Sequence, residues 1–208
     1  MINKNESSQN SPLIISAVKF EVESLLKSLE QEQISYEYFE LGVGPLHAAY
    51  KAKILKSLCY KRKVLYVGSC GSFAPFAQPY LIQAQKTLWM PTGVRTGLSH
   101  AVEKWYPPIS FPVNKKIDLP SKIILTSPEL SLTNKIANSF SYLPKEDLYE
   151  NMELYAVADS LQEAQELNIA LAVTNQVGLE GHEQWKAYFK KAAELTSSYI
   201  CARKEVFL

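Results

Sequence analysis

The chain has 208 residues, with 22 lysines and arginines against 21 aspartates and glutamates, so its formal net charge is +1. This balance disfavours a nucleic-acid binder that works by counterion release, and 47% hydrophobic with 21% charged residues excludes a disordered chain. No apolar run approaches the roughly 18 residues of a membrane span, and three widely spaced cysteines form neither a disulfide framework nor a metal-ligand cluster. We therefore expect a polar N-terminal tail over 1–12, a single domain over 13–208, a cytoplasmic location, and neither a nucleic-acid nor a membrane partner.

Hydrophobic periodicity and Gly/Pro punctuation predict strands and helices that alternate along the chain. The predicted elements are, in chain order, a strand over Leu13–Val18, a helix over Glu21–Glu30, a helix over Leu46–Leu58, strands over Val64–Val67 and Pro79–Met90, a long ordered loop over Pro91–Pro120, a strand over Lys122–Thr126, helices over Leu132–Phe140 and Met152–Leu167, a strand over Ile169–Val173 and a helix over Glu183–Cys201. This order is typical of an α/β domain with three layers, α/β/α, around a mixed central sheet.

Two glycine turns are predicted to open on one edge of this sheet. Gly42-Val43-Gly44 lacks the third glycine of a dinucleotide fingerprint, because His47 stands in its place. Gly68-Ser69-Cys70-Gly71 follows a predicted strand and would expose backbone N–H groups and a hydroxyl where ligands of open α/β sheets bind. The alternative for each motif is a tight turn that has no ligand, and taken alone the Gly42 motif favours that alternative.

Polar residues follow or interrupt three apolar segments. Glu153 lies in the apolar stretch 151–158, where burying a carboxylate costs several kcal/mol unless something satisfies it; the alternative is a first-turn acid favoured by the helix dipole. Glu21 is either a general base at the end of the first strand or an ordinary first-turn glutamate. Thr174-Asn175 ends a strand, where the Asn either contacts the edge of a base or closes a turn. The histidines have no metal-ligand spacing, so no metal or cofactor is expected: His47, His100 and His182.

Five collinear stretches resemble the purine nucleoside phosphorylase and nucleosidase superfamily. They are most similar to its nucleosidase branch, the methylthioadenosine/S-adenosylhomocysteine nucleosidases and futalosine hydrolases. The stretches are Ile14–Val22, Leu41–Ala49, Val67–Gly71, Asn151–Glu153 and Ala172–Asn175. The resemblance implies a nucleoside phosphorylase-like fold, cleavage of the N-glycosidic bond between a purine and a ribose, water as co-substrate, and a homodimer.

The resemblance also implies roles for individual residues. Glu21 matches the carboxylate that activates the attacking water, and Glu153 matches the one that binds the ribose hydroxyls, with Met152 packing near the sugar. Ser69, in the stretch that ends at Gly71, lies on the nucleophile side of the sugar. A carboxylate near the ribose would stabilise an oxocarbenium-like transition state, and a general base would supply the nucleophile.

The purine is expected beside Thr174, Asn175 and the segment Thr126–Leu130. Two departures from the family bear on the substrate. Tyr66 stands where hexameric phosphorylases carry a phosphate-binding arginine, which favours hydrolysis over phosphorolysis. Asn175 stands where adenosine-type nucleosidases carry an aspartate; an amide cannot act as a general acid, but it can donate to a 6-oxo group, as in the hypoxanthine of futalosine.

The leading hypothesis is therefore a futalosine hydrolase of menaquinone synthesis, whose small-molecule partner is a purine nucleoside. Three alternatives stay open: a nucleosidase of methylthioadenosine, S-adenosylhomocysteine or aminofutalosine, a phosphate-dependent phosphorylase, and a non-catalytic nucleoside-binding module. The aromatic-rich loop over 91–111 is compatible with a place at a dimer interface and with a cover over the 5′ substituent.

Overall fold

Strands and helices alternate through the residues described by the computed structural model, which are 11–99, 106–137 and 142–208. The strands are β1 (Leu13–Ser16), β2 (Glu37–Glu40), β3 (Lys63–Ser72), β4 (Tyr80–Trp89), β5 (Ile109–Ser110), β6 (Ser121–Thr126), β7 (Leu148–Glu150) and β8 (Glu166–Gln176). The helices are α1 (Glu23–Gln31), α2 (Pro45–Cys59), α3 (Thr92–Arg95), α4 (Leu154–Leu161), α5 (Gly181–Cys201) and α6 (Lys204–Phe207). Most of the predicted tail over 1–12 lies outside the described residues.

The central sheet is mixed, as the sequence predicts. β1 is parallel to both β2 and β3, and β8 runs parallel to β3 along its length. β4 is antiparallel to β8 and β5 and parallel to β6, which is parallel to β7. Because β7 pairs in turn with the end of β3, the strands β3, β8, β4, β6 and β7 close into a ring, and β1 and β2 extend the sheet from β3.

Helices cover both faces of the sheet. Leu13 and Ile15 of β1 are buried against α2 and α4, whereas Ile14 between them is buried against α1, α5 and α6. This alternation follows from the two-residue period of a strand and confirms the predicted three-layer arrangement. No helix in the described part of the chain is long and apolar enough to cross a membrane.

Two predictions near the site are wrong. Gly68–Gly71 is not a turn, because β3 continues through it to Ser72 and pairs with β8, with an irregularity between Cys70 and Gly71. The helix predicted over Met152–Leu167 covers only Leu154–Leu161, and β8 already begins at Glu166. The late start has a local cause: the side-chain oxygen of Asn151 accepts the N–H groups of Glu153 and Leu154 at 3.0 and 2.8 Å.

Other elements differ in extent. Glu21 does not lie in the first turn of α1; it ends a separate 3-10 turn over Lys19–Glu21. The helix predicted over Leu132–Phe140 is absent from its described residues 132–137, and residues 138–140 lie outside them. The loop predicted over Pro91–Pro120 contains α3 and β5, and its residues 100–105 lie outside the described part.

Candidate active site

A cavity of about 300 Å³ lies at the carboxyl ends of β1, β3 and β8. The eight residues singled out from the sequence all line it, although they come from five separate parts of the chain: Glu21, Ser69, Gly71, Leu130, Met152, Glu153, Thr174 and Asn175. This convergence follows from the parallel pairing of β1, β3 and β8, which carries the ends of all three strands to one edge.

The carboxylate of Glu21 is fixed at one oxygen only. Its Oε1 accepts the backbone N–H of Ser69 at 3.0 Å and the Ser69 hydroxyl at 2.8 Å. Its Oε2 is buried without a hydrogen-bond partner in the described residues. Burial raises the pKa of the Glu21 carboxyl, and the hydrogen bonds from Ser69 oppose that rise. Glu21 lines the cavity, and an oxygen without a partner leaves this carboxylate able to accept a proton.

Glu153 is a second buried carboxylate, and its hydrogen-bond donor is far from it in the sequence. It is 5% exposed, and its Oε1 accepts the backbone N–H of Gly44 at 2.7 Å. Gly44 has a φ of +87°, a left-handed conformation in which glycine is favoured, so the glycine motif before α2 presents its N–H to this acid. Burial raises the pKa of Glu153 to about 7, the Gly44 bond lowers it, and the nearby negative charge of Glu21 raises it.

Asn151 links Ser69 on β3 to the segment that carries Glu153. Its side-chain N–H donates to the Ser69 carbonyl oxygen at 3.0 Å, while its oxygen caps the start of α4. The residue thus fixes Ser69 and the neighbouring Glu153 relative to each other. It belongs to the Asn-Met-Glu stretch recognised in the sequence, but nothing local assigns it a role, since its partner lies 82 positions away.

The amide of Asn175 is oriented by its neighbours. Its Oδ1 accepts the Thr174 hydroxyl at 2.8 Å, and its Nδ2 donates to the Gln176 carbonyl oxygen at 3.2 Å. One of the two amide hydrogens therefore stays available to a ligand. A Cβ on Gly71 would lie 2.8 Å from this Nδ2, so a glycine on β3 provides the room for the amide.

An aromatic wall, which the sequence did not predict as part of the site, closes one side of the cavity. Trp185 donates its indole N–H to the Ser69 hydroxyl at 3.3 Å and stacks with His182, their ring centres 5.8 Å apart. Phe20 meets the Trp185 ring edge-on at 5.9 Å. Trp185 lies in the predicted helix over Glu183–Cys201, and periodicity alone does not separate a core contact from a cavity wall.

Glu150, at the end of β7, is a third carboxylate on the wall and was also missed. It is 8% exposed; its Oε1 accepts the Ser131 N–H at 3.2 Å, and its Oε2 accepts the Ser131 hydroxyl. Burial raises the pKa of the Glu150 carboxyl, and these two bonds oppose the rise. Neither lysine nor arginine lines the cavity in the described part of the chain, and beside the three glutamates and the aromatic rings most of the lining is aliphatic or small.

Comparisons with known proteins give a likeness in structure alone. No family model and no curated protein matches the chain. A Helicobacter pylori 5′-methylthioadenosine/S-adenosyl homocysteine nucleosidase has a TM-score of 0.69 and 13% identity, over 96% of this chain and 99% of its own. The native futalosine hydrolase of Helicobacter pylori also gives 0.69 and 13%, over 94% and 97%. A Campylobacter jejuni nucleosidase gives 0.64 and 16%, over 92% and 96%. The predicted nucleoside phosphorylase-like fold is thereby confirmed.

Proposed function

We propose that this protein is a purine nucleosidase that hydrolyses an N-glycosidic bond, and that its substrate is futalosine, in menaquinone synthesis. The observation that carries the proposal is the convergence of Glu21 and Glu153, two buried and separately anchored carboxylates, on one cavity. The fold shared with nucleosidases and a futalosine hydrolase supports it.

Glu21 is the proposed general base. Because Ser69 occupies Oε1, the unpartnered Oε2 is left to accept a proton from water as the water attacks the sugar. Glu153 is the proposed ribose ligand. Gly44 uses one of its acceptor positions, and the remaining ones can accept the ribose hydroxyls and stabilise the positive charge of an oxocarbenium-like transition state. Met152, beside it, packs on the sugar.

Hydrolysis is favoured over phosphorolysis by the charge of the wall. The charged groups on its wall are the carboxylates of Glu21, Glu150 and Glu153, and neither lysine nor arginine lines it in the described residues, so a phosphate would find no charge-assisted donor there. Tyr66, on β3, is fully buried in the core between the sheet and the helices α2 and α4, and it does not line the cavity. A neutral water is therefore the better nucleophile for this site.

A 6-oxopurine is favoured by the orientation of Asn175. Thr174 uses one acceptor position of its oxygen and Gln176 one of its two amide hydrogens, so the other hydrogen can donate to an acceptor such as a 6-oxo group or N7. Leu130, which is 54% exposed at the cavity rim, is the proposed apolar contact for the base.

We further propose a homodimer that acts in the cytoplasm. Four exposed apolar side chains recur at helical spacing from just before α2 into its second half, which is unusual for a surface that stays in water: Val43, Leu46, Tyr50 and Ile54. The three cysteines are unpaired, which suits a reducing compartment. Analytical ultracentrifugation tests the dimer.

Incubation with futalosine, methylthioadenosine and inosine, with and without phosphate, tests the function through the release of free base. We expect hypoxanthine from futalosine without phosphate. Strict dependence on phosphate would identify a phosphorylase, and cleavage of methylthioadenosine alone would identify a 6-aminopurine nucleosidase. Binding of these nucleosides with no product over long incubation would identify a binding module and refute the enzyme.

A further inference from the structure

Glu150 has no role in the proposed mechanism, although its carboxylate is buried on the cavity wall. Ser131 supplies its two hydrogen bonds, one to each oxygen. A carboxylate offers about four acceptor positions, so capacity remains at both oxygens. The buried guanidinium of Arg95 attracts this carboxylate, but its own hydrogen bonds go to the carbonyl oxygens of Thr133 and Lys135. Glu150 is thus a held acceptor that faces the cavity.

The sheet register places Glu150 and Asn175 on either side of one glycine. Gly71 of β3 is the partner of Glu150 on β7 and of Asn175 on β8. Neighbouring strands lie about 5 Å apart, so the two side chains start from Cα atoms separated by roughly 10 Å. Because Gly71 has no side chain, the Asn175 amide and the Val177 side chain occupy the place of its Cβ. Glu150, Gly71 and Asn175 all line the cavity.

This arrangement matches the hydrogen-bonding edge of a 6-oxopurine. Along that edge N7 and O6 are acceptors and the adjacent N1–H is a donor, whereas adenine presents a 6-amino donor and an N1 acceptor. Asn175 offers an N–H and Glu150 offers oxygen lone pairs. Adenine would instead set its N1 lone pair against a carboxylate, which a buried site penalises.

We propose that Glu150 is a specificity-determining residue that accepts the N1–H of a 6-oxopurine whose O6 or N7 faces Asn175. The inference rests on the proposed function in one respect, that the cavity holds the purine. It adds to that function the residue that would select the 6-oxo form over the 6-amino form.

Binding of the free bases hypoxanthine and adenine, measured by calorimetry, tests this without any turnover. We expect the native protein to prefer hypoxanthine. In E150Q the amide can donate to the N1 of adenine, so the ratio of hypoxanthine to adenine affinity should fall by about 10- to 100-fold. The control is E146Q, at an exposed glutamate just before β7 that does not line the cavity, which should leave the ratio unchanged.

A structural role for Glu150 predicts a different result. If it only holds Ser131, E150Q weakens both bases by the same factor and the ratio stays constant, which overturns the proposal. Failure of the native protein to bind either base overturns it as well. Should E150Q fail to fold, 1-methylhypoxanthine on the native protein replaces it: loss of N1–H should weaken binding about 10- to 100-fold relative to hypoxanthine, and equal affinity refutes the inference.

The failure of this inference is distinguishable from failure of the proposed function. If no nucleoside is cleaved but hypoxanthine is preferred and the preference depends on Glu150, the nucleosidase proposal fails and the inference stands. If futalosine is cleaved and the base preference ignores Glu150, only the inference fails.

Discussion

Ser69 binds one oxygen of Glu21 twice, through its backbone N–H at 3.0 Å and its hydroxyl at 2.8 Å. The other oxygen of Glu21 has no partner in the described residues. The two contacts hold the carboxylate in place and lower its pKa against the effect of burial. The relationship makes the proposed base testable through either of the two residues.

Replacement of Ser69 by alanine removes the hydroxyl but keeps the backbone bond. Because that hydroxyl lowers the pKa of Glu21, the pKa should rise in S69A, and the acid limb of kcat/KM should move to higher pH. We expect about tenfold lower activity at neutral pH, with recovery as the pH rises. A pH–rate profile measures this, with S57A on the exposed face of α2 as control. An unchanged acid limb would contradict the role of Ser69.

Replacement of Glu21 by glutamine removes the base and keeps the shape of the side chain. We expect turnover to fall by about 10²- to 10⁴-fold, while purine binding persists. The matched control is E23Q, two residues along, whose exposed side chain pairs with Lys27 and should leave turnover within about twofold. Single-turnover kinetics and base binding separate the two effects. Normal turnover in E21Q would refute the assignment.

Glu153 makes stability depend on pH in a defined direction. Its pKa in the folded protein, about 7, exceeds the ordinary value of 4.5, so the folded state binds this proton more tightly than the unfolded chain does. The free energy of unfolding should therefore fall as the pH rises from about 4.5 to 7. In E153Q the side chain is uncharged but can still accept the Gly44 N–H. The free energy of unfolding of E153Q should therefore not show this decrease with pH.

Urea unfolding of the native protein and E153Q tests this at about pH 4.5 and about pH 8. The stability advantage of E153Q should grow by about 3 kcal/mol between the two. The control is E194Q, because Glu194 is exposed. Glu37 is not used for this purpose, since its carboxylate pairs with Arg62. Parallel pH curves for native protein and E153Q would show that the Glu153 proton is not coupled to folding.

Replacement of Asn175 by aspartate supplies the proton donor that the site lacks. A protonated Asp can donate to N7, and its other oxygen can accept from a 6-amino group, so cleavage of methylthioadenosine should rise relative to futalosine by about tenfold or more. The ratio of the two kcat/KM values measures this, and each substrate is the control for the other. An unaltered ratio would show that Asn175 does not contact the purine.

Local sequence patterns predicted much of the fold. Leu13, Ile14 and Ile15 alternate between two helix layers, and a strand period predicts that alternation without knowledge of the partners. The collinear stretches likewise predicted the sheet edge at which Glu21, Ser69 and Asn175 meet. Their proposed roles still depend on the experiments above.

Only the tertiary structure determines which residues of different strands and helices meet at the site. The bond from Gly44 to Glu153 joins residues 109 positions apart, and the opposition of Glu150 and Asn175 over Gly71 exists only because β7 and β8 both pair with β3. Sequence periodicity predicts which residues are buried, because the side chains of one strand or helix face the core at a regular spacing. It does not record strand register, which depends on the packing of the whole sheet, and so the third carboxylate and the indole of Trp185 emerge as parts of the site only in the folded chain.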